Sequence, residues 1–120
     1  MTNRSKQKGT RWESSIVDTL QANGFPHAER RALNGNTDKG DITGIPGVVI
    51  EAKDCQRVQL AEWVDQATLE GANAAADVAA VWAHRKGRGS PLDGYVVMTG
   101  SQFVGLLHDA GHGWPPEGGV

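Results

Sequence analysis

A single cysteine, Cys55, leaves this 120-residue chain without any internal disulfide, the usage expected in a reducing cytoplasm. Long apolar runs are also missing. No stretch approaches the roughly 20 residues of a membrane span. The first residues are polar and basic with no hydrophobic segment, so no secretory signal is expected. Strong net charge is absent as well: 12 cations against 14 anions give −2, and 22% of residues are charged. With four tryptophans this argues against a disordered polyelectrolyte. The length suffices for one packed core and not for two full domains. No repeat or low-complexity tract is present. Glycine, by contrast, is abundant at 16 residues, nearly twice the usual share of about 7%, so turns and short loops should be many.

A slightly negative sum counts, by itself, against nucleic acid. The distribution says otherwise. Arg4, Lys6, Lys8 and Arg11 stand together without an acid, as do His84, Arg85, Lys86 and Arg88, and Arg30-Arg31 form a third focus. Many acids lie between residues 51 and 77. Because fields are local within a Debye length of about 8–10 Å, one face can be basic while the total is negative.

Periodicity gives the element order. Trp12, Ile16, Val17 and Leu20 recur at helical spacing, with Thr10 and Glu13 in capping-box form and Asn23-Gly24 as a stop. Residues 1–9 are then a basic arm ahead of the helix. An extended stretch runs from Pro26 to Leu33, followed by a polar loop at 34–39. Gly40 to Asp54 reads as strand, turn, strand, with Pro46-Gly47 placed for a type II turn. A second helix covers about 60–76, with the apolar stripe Leu60, Trp63, Val64, Ala67 and Gly71. The runs Val78 to Ala83 and Tyr95 to Met98 predict strands covered on both faces. A last helix, 101–110, turns Phe103, Leu106 and Leu107 inward, and 113–120 is a flexible tail. The order αβββαββα predicts an α/β domain over 1–112 with a central mixed five-stranded sheet flanked by helices.

The chemistry concentrates at Asp41 and at Val49-Ile50-Glu51-Ala52-Lys53. Glu51 and Lys53, two apart on a strand, share a face, and the turn at Pro46-Gly47 folds Asp41 back beside Glu51. A strand this apolar rarely carries two charges without a use. Two neighbouring carboxylates repel, and a hard divalent cation relieves the repulsion. Mg²⁺, with Mn²⁺ as a substitute, suits Asp41, Glu51 and the Ala52 carbonyl. Lys53 is placed to orient an attacking water and offset charge on a phosphate. Asp38, three residues before Asp41, competes with it as the ligand. Lys8, Arg11, Arg30 and Arg31 are phosphate-contact candidates, of which Arg30 and Arg31, being adjacent on a strand, cannot both face the site. Asn36 and Lys39, in the polar loop, join them as DNA-binding candidates. His108 and His112 are four apart, but Gly111 intervenes at the helix end, so no metal site is expected there. Trp12 and Trp63 are read as core and interface residues and not as base-stacking platforms, and Cys55 as an inert thiol.

Asp41, a nine-residue gap and Glu51-Ala52-Lys53 resemble the core of the PD-(D/E)XK nuclease superfamily, with Gly40 where proline is common. Lys8-Gly9-Thr10-Arg11-Trp12-Glu13, opening a helix, is similar to the archaeal and phage Holliday-junction resolvases, although Ser14 stands where arginine often follows the glutamate. The resemblance covers roughly residues 6–84. It implies a restriction-endonuclease-like fold and a Mg²⁺-dependent endonuclease that cuts four-way DNA junctions symmetrically as a homodimer in recombination and repair. It also implies that Glu13 supports the metal, directly or through water, and that Gln66 on the second helix lies near the site. Alternatives on the same residues are another nuclease of this superfamily, single-strand, flap or restriction-like, and a non-catalytic module binding branched DNA.

Overall fold

The computed structural model describes residues 3–31 and 40–113, with side chains from Lys6 onward. Asn36, Lys39 and Asp38, with the rest of the 34–39 loop, and residues 114–120 of the expected tail lie outside the described residues. The elements are α1 (Asn3–Ala22), β1 (Glu29–Arg30), β2 (Ile42–Thr43), β3 (Val48–Lys53), α2 (Leu60–Asn73), β4 (Val78–Ala83), a 3-10 turn at Pro91–Asp93, β5 (Tyr95–Val97) and α3 (Gly100–Asp109). The strands form one sheet in the order β1-β2-β3-β4-β5. Only β3 and β4 run parallel, and α2 supplies the crossover that a parallel pair requires. The chain is therefore α/β with a five-stranded mixed sheet flanked by helices. Among the described residues no helix is long and apolar enough to cross a membrane.

Side-chain alternation divides the core into two layers. On one face α1 buries Trp12, Ile16, Val17 and Leu20 against Ile42 and Ile50, with Ala52 and Trp82 at the margin. On the other, Trp63 and Ala67 of α2 pack on Val81 and Ala83. Each of the larger residues contributes about 1.5–3 kcal/mol by leaving water. The Trp12 indole also donates to the Trp82 carbonyl at 3.0 Å, tying α1 to β4. Gly71 lets α2 approach the sheet closely, because a Cβ there would stand 2.8 Å from the Cβ of Ala79.

The β2–β3 turn forms as the sequence predicts. Gly47 has φ +78° and the Val48 N–H donates to the Ile45 carbonyl at 3.1 Å, the geometry that needs glycine in third place. Four expectations are corrected. First, α1 starts at Asn3, so residues 3–9 are its first two turns, Thr10 is interior and its capping box with Glu13 does not form. Lysine, glutamine and arginine are good helix formers and carry the helix through that segment. Second, among its described residues the extended stretch after Pro26 yields the two-residue strand β1, with residues 32–33 outside the described part. Third, α2 stops at Asn73, where Ala75 takes a left-handed φ of +52° and the Ala76 N–H closes back on the Gly71 carbonyl. Fourth, β5 is an edge strand with Tyr95 and Val96 exposed, and α3 buries no residue. Phe103 and Leu107 lie open to solvent instead of inward. α3 is held by polar contacts: Thr99 Oγ1 accepts from the Gln102 N–H, and Gln102 Oε1 accepts from the Ala79 N–H at 2.9 Å.

Candidate active site

The site is built where the chain enters β2, antiparallel to the C-terminal half of β3. The Asp41 N–H donates to the Ile50 carbonyl at 3.0 Å, and Asp41 Oδ2 accepts from the Ala52 N–H at 2.9 Å. Backbone and side chain of Asp41 are thus both fastened to β3 on either side of Glu51. Ile50 and Ala52 face α1, so Glu51 and Lys53 face α2.

Glu51 is only 2% exposed. Its carboxyl is pushed up from about 4.5 to about 10. Burial is the largest cause. A hydrogen bond with Asp41 and the charges of Asp41 and Glu70 add to it, and only the Lys53 ammonium opposes them. At neutral pH Glu51 therefore holds a proton beside Asp41. The α2 face supplies the remaining members. Lys53 Nζ donates to Gln66 Oε1 at 3.1 Å, and Gln66 Nε2 donates to Glu70 Oε2 at 3.2 Å. Gln66 consequently fixes the ammonium to the buried carboxyl of Glu70, which is 1% exposed.

Asp41, Glu51, Lys53 and Gln66 are brought together as the sequence suggests. Glu13 is engaged elsewhere: its Oε1 accepts from Arg30 Nε at 3.0 Å, on the α1 side of the sheet, and among the described residues no hydrogen bond or ion pair links it to Asp41 or Glu51. With Arg30 turned to α1, alternation directs Arg31 to the Glu51 face. Arg11 is exposed on α1. Lys8 reaches Asp54, just past β3, at 3.6 Å. Asp54 is shared with His84, whose Nδ1 lies 3.0 Å away, while His84 Nε2 donates to the Arg88 carbonyl at 2.8 Å. The His84 ring stacks on Trp12 at 4.5 Å. Trp12 and Trp63 are core residues, as expected, and Cys55 is an exposed free thiol.

Sequence reasoning missed Glu70. The signal was present, because Glu70 follows Ala67 by three and Gln66 by four on α2, which puts a carboxylate on the apolar stripe. The Lys8–Asp54–His84 cluster joins three elements and had no sequence signal of that kind.

Among the described residues no group of three or more His, Cys, Asp or Glu side chains is arranged to hold a metal ion. Asp41 and Glu51 nevertheless fit a hydrated hard cation. Two adjacent carboxyls, one of them buried beside like charge, have the hard oxygen donors such a cation would need in place of a proton, and Mg²⁺ often uses only one or two carboxylates with water filling the rest. Such a pair with an anchored lysine can neutralise and orient a phosphodiester. No protein family, characterised protein or solved structure matches this chain.

Proposed function

We propose that the chain is a restriction-endonuclease-like nuclease of the PD-(D/E)XK type, a Mg²⁺-dependent endonuclease selective for branched DNA that resolves four-way junctions as a homodimer. The observation that carries this reading is the placement of the buried Glu51 carboxyl beside the anchored Asp41, with Lys53 on the same face of β3; burial and the neighbouring carboxyls push Glu51 up. A structural ion cluster does not need a carboxyl so disfavoured in its charged form, and such perturbed pairs concentrate at functional sites.

Asp41, Glu51 and the Ala52 carbonyl are the groups that would hold Mg²⁺. The ion supplies Lewis-acid neutralisation of a phosphodiester when bound. The protein's own residues do the rest. Asp41 is fixed by the Ala52 N–H, so its second oxygen has a set direction. Lys53 offers a positive charge and three N–H donors to the phosphate and the attacking water. Gln66, restrained by Glu70, keeps the ammonium from swinging into solvent and is a positioning residue. Lys8, Arg11 and Arg31 supply phosphate contacts along the strand. Glu13, paired with Arg30, orients that arginine, and a part in metal support requires it to leave the pair. Symmetric cutting calls for two sites at fixed separation, hence a two-fold dimer.

Cleavage of a labelled four-way junction beside linear duplex, flap and single-strand substrates tests this. Paired nicks confined to the junction are expected. Processive degradation of linear ends would assign a different nuclease activity, and tight junction binding with no cleavage in Mg²⁺ would leave only a binding module.

A further inference from the structure

A cleft of about 450 Å³ opens directly beyond Lys53. The proposed reaction uses only its rim. Its walls are apolar and aromatic, with buried Trp63 at the floor and half-exposed Tyr95 at the side. Its mouth is cationic: Lys8, Arg85 and Lys86 line it together with Lys53. The one acid among the described lining residues, Asp54, is already engaged by Lys8 at 3.6 Å and by His84 at 3.0 Å. Arg85 lies over the Tyr95 ring, 5.7 Å from its centre, so a guanidinium and an aromatic face occupy the same wall.

An apolar floor beneath a cationic mouth suits a ligand that is flat and apolar at one end and anionic at the other. The volume lies in the range of small-ligand sites, about 300–1,000 Å³, and a duplex does not enter it. We propose that this cleft receives one unstacked nucleotide, the neighbour of the scissile phosphate, with its base against Tyr95 and its phosphate met by Arg85 and Lys86. Stacking on an aromatic face is tolerant of sequence, so the cleft selects on whether a base can leave its stack. Leaving the stack costs a few kcal/mol in intact duplex and least where pairing is already broken. Selectivity for branch points then follows from the cost of filling the cleft, without any base-specific contact. The basic 84–90 segment is thereby assigned to the substrate. This inference rests on the nuclease reading, which supplies the strand passing Lys53.

The test is a four-way junction carrying 2-aminopurine beside the crossover, compared with the same probe inside an arm, in Ca²⁺ to prevent turnover. On binding, the crossover probe should brighten several-fold and the arm probe should not. Tyr95→Ala and Arg85→Ala should lose most of that rise and bind about tenfold more weakly. Tyr95→Phe should retain it, and Lys86→Ala should lower the salt slope of binding by about one. Circular dichroism of each variant establishes that it is folded. Tight junction binding with no brightening, or brightening unchanged in folded Tyr95→Ala and Arg85→Ala, overturns the cleft and leaves the nuclease standing. Failure to bind any branched DNA overturns both.

Discussion

Replacing Glu51 by glutamine removes a titratable carboxyl from a site that holds those of Asp41 and Glu70 as well, while keeping the shape of the side chain. In the folded metal-free protein Glu51 keeps its proton up to about pH 10, against an ordinary value near 4.5. Between these limits the folded state binds one proton more than the unfolded state, so the stability from this group is complete below about pH 4.5 and declines as pH rises towards 10. The ceiling is about 1.4 kcal/mol per pH unit. Over pH 6 to 9 that is about 4 kcal/mol at most, and relaxation of the site around the charge reduces the expectation to about half, roughly 2 kcal/mol. For a chain of this size that corresponds to roughly 5–10 °C in melting temperature. Mg²⁺ at a hundred times its dissociation constant should restore about 2.7 kcal/mol. Thermal unfolding followed by circular dichroism, in EDTA and in millimolar Mg²⁺, reads both effects. In Glu51→Gln the pH-dependent loss should be absent and Mg²⁺ should add little. A wild type whose stability does not fall with pH relative to Glu51→Gln, or a variant that keeps the full Mg²⁺ response, refutes the reasoning.

Three further outcomes are expected. Gln66→Ala frees the Lys53 ammonium and should lower kcat of junction cleavage about 10- to 100-fold with the Mg²⁺ stabilisation intact, because the Gln66 amide bonds Lys53 and Glu70. Ala75→Gly relieves a left-handed backbone, φ +52°, and should stabilise the protein by about 0.5–1 kcal/mol in urea unfolding. Gly71→Val drives a side chain into Ala79, 2.8 Å from the Cβ position, and should destabilise by about 1–3 kcal/mol or more while displacing Glu70 and Gln66.

Local signals in this sequence were strong wherever one interaction decided the outcome. The Pro46-Gly47 turn, the β3 alternation that sets Glu51 and Lys53 on one face, and the β4 run from Val78 to Ala83 depend on neighbours within a few residues, and all three were legible. The start of α1 was not, because Thr10 and Glu13 satisfy a capping pattern equally well inside a helix that continues past them. The outward face of α3 was also illegible. Phe103 and Leu107 carry the spacing of a buried stripe, yet Gln102 anchors the helix to Ala79 through a polar contact that hydrophobic periodicity does not report. Glu70 shows the opposite limit: a buried carboxylate violates the apolar pattern, and its purpose emerges only when Gln66 and Lys53 are seen in contact with it. Strand alternation distinguishes Arg30 from Arg31 without saying which meets Glu13; the Arg30–Glu13 pair depended on where α1 packed.

The central claim is that Asp41 and Glu51 form the hydrolytic centre. Its most direct test is Mg²⁺-dependent cleavage of a labelled four-way junction by the wild type, Asp41→Ala and Glu51→Ala, each shown to be folded. Cleavage by the wild type that needs Mg²⁺ and falls at least a thousandfold (on the order of 4 kcal/mol) in both variants is the predicted result; Mg²⁺-dependent cleavage that survives both substitutions would contradict it.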